Sequence, residues 1–128
     1  MRVAWHRLSN LTLWVLQGAL ALLFLYSGLE KFSHHGTFWP ELFARIGLGQ
    51  WLRYFTGGLE VVCAFLLLIP KTLLIASTML VCAMSGAILV HLFILRDGYA
   101  CFFPGFTLAI LLAIAWGRLT GPRSGLSN

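Results

Sequence analysis

Four long apolar segments dominate this 128-residue chain. Segments of about 20 residues match the roughly 30 Å hydrocarbon core of a bilayer, because a helix rises about 1.5 Å per residue. The composition agrees, since 59% of the residues are hydrophobic, only 10% are charged and the mean hydropathy is +0.87. These values are typical of helical membrane proteins and exclude an ordinary soluble domain. We therefore predict an integral membrane protein.

The apolar segments predict one all-α domain, an integral membrane four-helix bundle. Pro70 and Lys71 separate the second segment from the third, because proline cannot continue a helix without losing a backbone hydrogen bond. Arg96, Asp97 and Gly98 form a polar turn before the fourth segment. A Gly- and Ser-rich end is predicted to be a flexible tail. The predicted spans are 11–31, 51–69, 72–95 and 99–116, and the tail is 117–128.

The connection between the first two spans is only half polar. One helical stripe of segment 38–47 is apolar and aromatic, whereas Glu41 and Arg45 stand one turn apart on another face. Aromatic side chains collect at membrane interfaces. The pattern therefore predicts a short interfacial helix, with a lid over a ligand site as the alternative.

The predicted topology places both termini on the same side of the membrane. Lys and Arg residues favour the cytoplasm for that side, with five of the nine there and four on the other side. The formal charge of +5 requires no nucleic-acid partner, because basic residues beside spans bind anionic lipid headgroups. We therefore expect cytoplasmic termini and the lipid bilayer as the main partner.

Most polar side chains gather at the opposite end of the predicted bundle, which we call the outer end. Glu60 is the most informative of them, because a carboxylate inside a span costs about 2.5–3.5 kcal/mol and usually faces the bundle interior. Glu60 and His91 are expected at similar depth, where they can exchange a proton or hydrogen-bond a ligand carbonyl. The candidate ligand-binding residues are Glu60, His91, Glu30, Lys31, Tyr26 and Arg53.

A structural role for the same residues stays open. Glu60 can pair with Arg53 or Lys31 and tie helix ends together, while His91 can bond a backbone carbonyl. Gly57 precedes Glu60 by one turn and is small enough for two helices to approach closely. Replacing Glu60 with glutamine separates the two interpretations, because it removes a ligand site in one and loosens the bundle in the other.

Metal and redox motifs are not evident in the sequence. His34 and His35 are adjacent and point apart on any regular element, so no metal site is predicted. Cys63 and Cys82 are expected to pack as small apolar residues, and Cys101 has no resolving cysteine at a typical spacing. No flavin, haem or iron–sulfur motif suggests an intrinsic cofactor.

Five short motifs follow one another along nearly the whole chain. They are Tyr26-Ser27-Gly28-Leu29-Glu30-Lys31-Phe32, Ile46-Gly47-Leu48, Gly57-Gly58-Leu59-Glu60-Val61, Leu66-Leu67-Leu68-Ile69-Pro70, and Met84-Ser85-Gly86-Ala87 running on to His91. Their order and spacing resemble the DoxX family of small bacterial membrane proteins with four transmembrane helices. The resemblance implies a location in the bacterial cytoplasmic (inner) membrane.

The resemblance also implies a class of function. The family takes its name from a subunit associated with archaeal thiosulfate:quinone oxidoreductase, and other members look like membrane partners in redox complexes. It implies a bound quinone or similar isoprenoid, other membrane or redox proteins or a second copy as partners, and Glu60 as the most family-like polar residue, followed by Lys31 and His91. Two readings remain: a quinone-binding subunit of a redox complex, and a non-catalytic scaffold or assembly factor.

Overall fold

The computed structural model describes residues 2–33 and 36–120, and this part of the chain contains helices and turns but no strand. The five α-helices are α1 Arg2–Phe32, α2 Phe38–Ile46, α3 Gln50–Leu66, α4 Leu73–Leu89 and α5 Phe102–Thr120. A π-helical segment, Val90–Leu95, continues α4, and a 3-10 turn, Gly98–Cys101, leads into α5.

Three helical segments of the described chain are long and apolar enough to cross a membrane. They are Asn10–Phe32, Leu73–Leu95 and Gly98–Thr120. These segments correspond to the first, third and fourth predicted spans, so the all-helical membrane class is confirmed. Helix α3 has only 17 residues and is not among the three, so its crossing of the membrane stays a prediction.

The turns between helices fall where proline and polar residues predict them. Helix α3 ends before Pro70, and the Thr72 hydroxyl donates a hydrogen bond of 2.9 Å to the carbonyl oxygen of Leu66 across the turn. Pro104 is the third residue of α5, where its missing N–H breaks no helical hydrogen bond. These turns let consecutive helices fold back on one another.

The apolar core lies between α1, α3, α4 and α5. Helix α1 packs chiefly against α3 and also contacts α5, while α4 contacts both α3 and α5. The fully buried large side chains include Phe24, Leu67, Leu80, Leu111 and Ile114. Cys63 belongs to this core as predicted, but Cys82 is exposed on α4, so its predicted packing role is wrong. A thiol is apolar enough to face lipid as well as a core.

Two glycines set the closest approach of α1 to α3. A Cβ atom on Gly28 would lie 2.7 Å from the carbonyl oxygen of Gly57 and 2.7 Å from a methyl carbon of Val61. A Cβ atom on Gly57 would lie 3.0 Å from the carbonyl oxygen of Gly28. The predicted close approach at Gly57 is therefore confirmed. It places the following turns of the two helices, with Lys31 and Glu60, beside each other.

Helix α2 packs against α1, α3 and the π-helical segment. Phe43 is its buried residue, while Glu41 and Arg45 are exposed. Gln50, the first residue of α3, donates a hydrogen bond of 3.0 Å to the carbonyl oxygen of Pro40 in α2. The end of α1, the start of α3 and the π-helical end of α4 therefore meet around α2, at the outer end of the bundle.

Candidate functional site

A buried ion pair joins Lys31 at the end of α1 to Glu60 of α3. The ammonium nitrogen of Lys31 lies 3.0 and 2.8 Å from the two carboxylate oxygens of Glu60, and 3.0 Å from the hydroxyl of Ser27. Only 5% of the Lys31 side chain and 6% of the Glu60 side chain are exposed. An ammonium group has three N–H donors, so these three acceptors satisfy it completely.

Trp39 of α2 contacts the ion pair on the Lys31 side. The Lys31 ammonium lies 4.0 Å from the centroid of the Trp39 ring, which is a cation–π contact. The adjacent rings of Phe38 and Phe43 pack against Trp39, with centroids 5.0 and 6.4 Å away. Helix α2 thus contacts the Lys31–Glu60 pair through the Lys31 ammonium.

Arg53 is buried beside the ion pair but does not share it. Its guanidinium donates hydrogen bonds of 2.7 Å to the carbonyl oxygen of Lys31, 2.8 Å to the side-chain oxygen of Gln50 and 2.7 Å to the hydroxyl of Tyr54. The last carbonyls of a helix lack helical partners and carry partial negative charge. Arg53 therefore caps the C-terminal end of α1.

His91 has a different carboxylate partner from the one that the sequence predicts. Its Nδ1 atom lies 2.8 Å from a carboxylate oxygen of Asp97, and the backbone N–H of Asp97 donates to the carbonyl oxygen of His91 at 3.0 Å. The left-handed φ of 55° at Arg96 turns the chain back, so that Asp97 lies beside His91. The side chains of His91 and Asp97 are 15% and 14% exposed, so this pair is more open than Lys31–Glu60.

The remaining two candidate residues lie at the surface. Tyr26 is 67% exposed on α1. Glu30 is exposed and lines a pocket of about 140 Å³ together with Ser33, Gly36, Phe38, Trp39 and Pro40. The structure thus brings Lys31, Arg53 and Glu60 together, but leaves Tyr26 and Glu30 outside this buried group.

A second polar cluster lies at the opposite end of the bundle, away from the outer end where the sequence predicts that most polar side chains gather. Gln17, 1% exposed, donates a hydrogen bond of 2.9 Å to the carbonyl oxygen of Leu67. Arg118 of α5 donates to the side-chain oxygens of Gln17 at 2.8 Å and Asn10 at 2.7 Å. The buried polar side chains of the bundle are therefore not confined to its outer end.

The Arg118 contacts also correct the predicted tail. Helix α5 continues to Thr120, because Arg118 holds its last turns against α1. Residues 117–120 are thus helical rather than a flexible tail, and residues 121–128 lie outside the described residues. His34 and His35, for which the sequence predicts no metal site, also lie outside the described residues.

The polar group around Lys31 can hold helices together but presents few atoms to a ligand. Lys31, Arg53 and Glu60 carry a net charge of +1, and each is 5% exposed or less. Both Glu60 oxygens accept hydrogen bonds from Lys31. A ligand that bonds the carboxylate would have to replace the Lys31 ammonium on its oxygens.

Comparison with known proteins identifies the family. The sequence model of the DoxX-like family matches residues 15–115. No curated protein and no solved structure matches the chain significantly. The matched region contains the Lys31–Glu60 pair, the His91–Asp97 pair and three whole helices, α2, α3 and α4. This 128-residue membrane protein belongs to the DoxX-like family.

Proposed function

We propose that α3 also crosses the membrane, as the second of four spans in chain order, and that α2 lies at the membrane interface. A 17-residue helix is about 25 Å long, at the lower limit for crossing a bilayer. The two charged side chains of α3, Arg53 and Glu60, are buried. Its most exposed side chains are apolar, namely Trp51, Phe55, Val62 and Phe65. A helix with charges inside and apolar groups outside suits a lipid environment better than water.

Cysteine labelling tests this topology. In a full-length chain with its native cysteines replaced by alanine, Leu48→Cys and Lys71→Cys mark the two ends of α3. With cytoplasmic termini, a membrane-impermeant maleimide labels Leu48→Cys on intact cells, and labels Lys71→Cys only after the membrane is opened. Labelling of both from the same side would show that α3 does not cross. A reversed labelling pattern would show that α3 crosses the membrane but that the termini are not cytoplasmic.

We propose a non-catalytic scaffold or assembly role in the bacterial cytoplasmic membrane. The observation that supports this role is the closed Lys31–Glu60 pair. The carboxylate expected to bind a ligand accepts hydrogen bonds through both oxygens from Lys31, whose ammonium also contacts the Trp39 ring. Glu60 therefore acts mainly by holding α1 to α3. Lipids and other membrane proteins, redox proteins or a second copy of the chain among them, are the partners of such a scaffold.

A quinone-binding subunit of a redox complex is the second candidate function. It rests on the resemblance to the DoxX family and on polar groups that remain accessible at the outer end. These are the partly exposed His91 and Asp97 and the carboxylate of Glu30 in its small pocket. Ligand sites typically combine an apolar surface with a few such polar groups.

Mass spectrometry and absorption spectroscopy of the gently purified protein separate the two candidates. For a scaffold, we expect no stoichiometric small molecule with the wild-type protein, and a lower melting temperature for Glu60→Gln. The matched control is Glu41→Gln, which removes an exposed carboxylate of α2 and should leave the melting temperature unchanged. A stoichiometric quinone that is present in the wild type and lost in His91→Gln or Glu30→Gln would overturn the scaffold role and establish the quinone site at these groups.

A further inference from the structure

We propose that Arg118 binds the phosphate group of an anionic membrane lipid at the end of the bundle opposite the outer end, which we call the inner end. The sequence alone predicts only a general attraction of basic residues to lipid headgroups, whereas the contacts of Arg118 describe one oriented site. This site shares no residue with the Lys31–Glu60 pair or with the polar groups of the quinone candidate. It is therefore independent of both candidate functions.

Neutral side chains of α1 hold the guanidinium group of Arg118 in one orientation. Its Nε and Nη2 atoms both donate to the side-chain oxygen of Gln17, at 2.8 and 2.5 Å, and Nη1 donates to that of Asn10 at 2.7 Å. The guanidinium carbon also lies 5.1 Å from the centroid of the Trp14 ring, a cation–π contact. Amide oxygens accept hydrogen bonds but carry no net charge. Arg118 is thus positioned without being neutralised.

The partner of Arg118 is itself fixed by a third helix. Gln17 is 1% exposed, and its side-chain nitrogen donates a hydrogen bond of 2.9 Å to the carbonyl oxygen of Leu67 at the end of α3. Gly117 brings α5 close to α1, because a Cβ atom there would lie 2.9 Å from a methyl carbon of Leu13. Helices α1, α3 and α5 therefore all determine where the guanidinium lies.

No acidic side chain of the chain lies at the inner end. The four acidic residues in the sequence are Glu30, Glu41, Glu60 and Asp97, and all four lie at the outer end. Helix α5 has 19 residues and is about 28 Å long, so it separates Asp97 from Arg118 in its last turn. The C-terminal end of a helix carries only about half a negative elementary charge. A net positive charge therefore remains at Arg118, and it is available to an anion from outside the chain.

The unused N–H groups of Arg118 suit a phosphate. A guanidinium has five N–H groups, and the bonds to Gln17 and Asn10 use three, which leaves one on each terminal nitrogen. Neither of these two donates to an acceptor in the part of the chain that the structure describes. Arg118 is partly exposed, so a ligand can reach them. Two N–H donors on neighbouring nitrogens match two oxygens of one phosphate group.

The apolar side chains around Arg118 indicate a lipid rather than a soluble phosphate. Trp116 and Leu119 flank it on α5 and are 71% and 64% exposed, and Leu11 and Val15 of α1 are each 61% exposed. Tryptophan side chains typically lie at the level of the lipid headgroups. A phospholipid can therefore place its phosphate on Arg118 and its acyl chains along this apolar surface.

Native mass spectrometry of the full-length protein, released from detergent micelles with added phosphatidylglycerol, tests the site. We expect Arg118→Gln to bind this lipid at least about tenfold more weakly than the wild type, because charge-assisted hydrogen bonds are lost. The matched control is Lys71→Gln, which removes an exposed basic residue beyond the end of α3 and should bind within about twofold of the wild type. Equal losses in the two variants, or no loss in Arg118→Gln, would overturn the proposal.

Inorganic phosphate distinguishes a lipid from a soluble anion at the same site. Added in molar excess to the wild-type samples, it should leave phosphatidylglycerol bound, because it cannot replace the contacts of the acyl chains with the apolar surface. Displacement of the lipid by inorganic phosphate would show that the site takes a soluble phosphate and would overturn the assignment to a lipid.

A second measurement uses the wild type alone and does not depend on the folding of a variant. Phosphatidylglycerol with a photoreactive group in its headgroup, incorporated in nanodiscs, should crosslink chiefly to peptides that contain residues 10–17 or 114–120. Crosslinking that is no greater there than in peptides of the outer end, residues 36–50, would contradict the site.

Discussion

Replacement of Lys31 by methionine is expected to lower the free energy of unfolding by about 3–5 kcal/mol. The variant keeps most of the apolar stem, but it leaves the Glu60 carboxylate 5% exposed and without the ammonium that bonds both its oxygens. Uncompensated charges in a low-dielectric interior are among the most destabilising single changes. Denaturant titration of the purified protein in detergent micelles measures the loss.

The matched control for this variant is Arg45→Met. Arg45 is an exposed basic residue of α2 in the same outer region, and its substitution should change the free energy of unfolding by no more than about 0.5 kcal/mol. If Lys31→Met were as stable as Arg45→Met, the Lys31–Glu60 pair would contribute nothing to the fold.

The second large effect is expected at the contact of α1 with α3. Gly28→Ala should cost about 1–3 kcal/mol, and Gly28→Leu more, because the new Cβ lies 2.7 Å from the backbone oxygen of Gly57 and cannot be accommodated by a side-chain rotation. The two helices must separate, which also lengthens the contacts between Lys31 and Glu60. Thermal unfolding followed by circular dichroism measures the change.

Gly18→Ala provides the control for this contact. Gly18 lies in the same helix, but a Cβ atom there would have no neighbour within 4 Å. Alanine favours a helix over glycine by about 0.8–1.0 kcal/mol, so Gly18→Ala should be neutral or slightly stabilising. A similar loss of stability in both variants would mean that glycine in α1 serves helix flexibility and not the approach to α3.

Local sequence patterns predict much of the fold of this molecule. Apolar segments of spanning length give three of the helices, Pro70 gives the turn before α4, and the aromatic stripe of 38–47 gives α2. These features depend on local periodicity and on residues that restrict the backbone directly. Gly57 predicts the helix contact for the same reason, because only a missing side chain permits it.

Two polar contacts could not be predicted in this way. His91 and Asp97 are six residues apart, and helical periodicity separates them until a π-helical segment and a left-handed Arg96 bring them together. Gln17 and Arg118 lie at the two ends of the chain's membrane region, and only the packing of α5 on α1 makes them neighbours. Average hydropathy conceals such single polar residues, although Gln17 inside an apolar run is the signal that could have indicated this contact.

In a membrane protein, the Lys31–Glu60 pair can determine which helices pack together. Inside a bilayer the hydrophobic effect contributes little to helix association, because lipid tails are as apolar as the side chains. Close packing and polar contacts therefore determine which helices pair. The Gly28–Gly57 contact supplies the packing, and the ion pair adjacent to it supplies the polar contact. Together they select α3 as the partner of α1. Removal of either charge leaves the other without compensation.

The most direct test of this account is a double-mutant cycle with Lys31→Met, Glu60→Leu and the double variant, in which the free energy of unfolding of each protein is measured. If the pair ties α1 to α3, the double variant should be more stable than Lys31→Met, with a coupling energy of about 2–3 kcal/mol, because two apolar side chains replace an interaction that neither charge can make alone. Additive losses within about 0.5 kcal/mol would contradict the account. Lys31 and Glu60 would then act independently, and the carboxylate would have to be explained by a ligand or a partner.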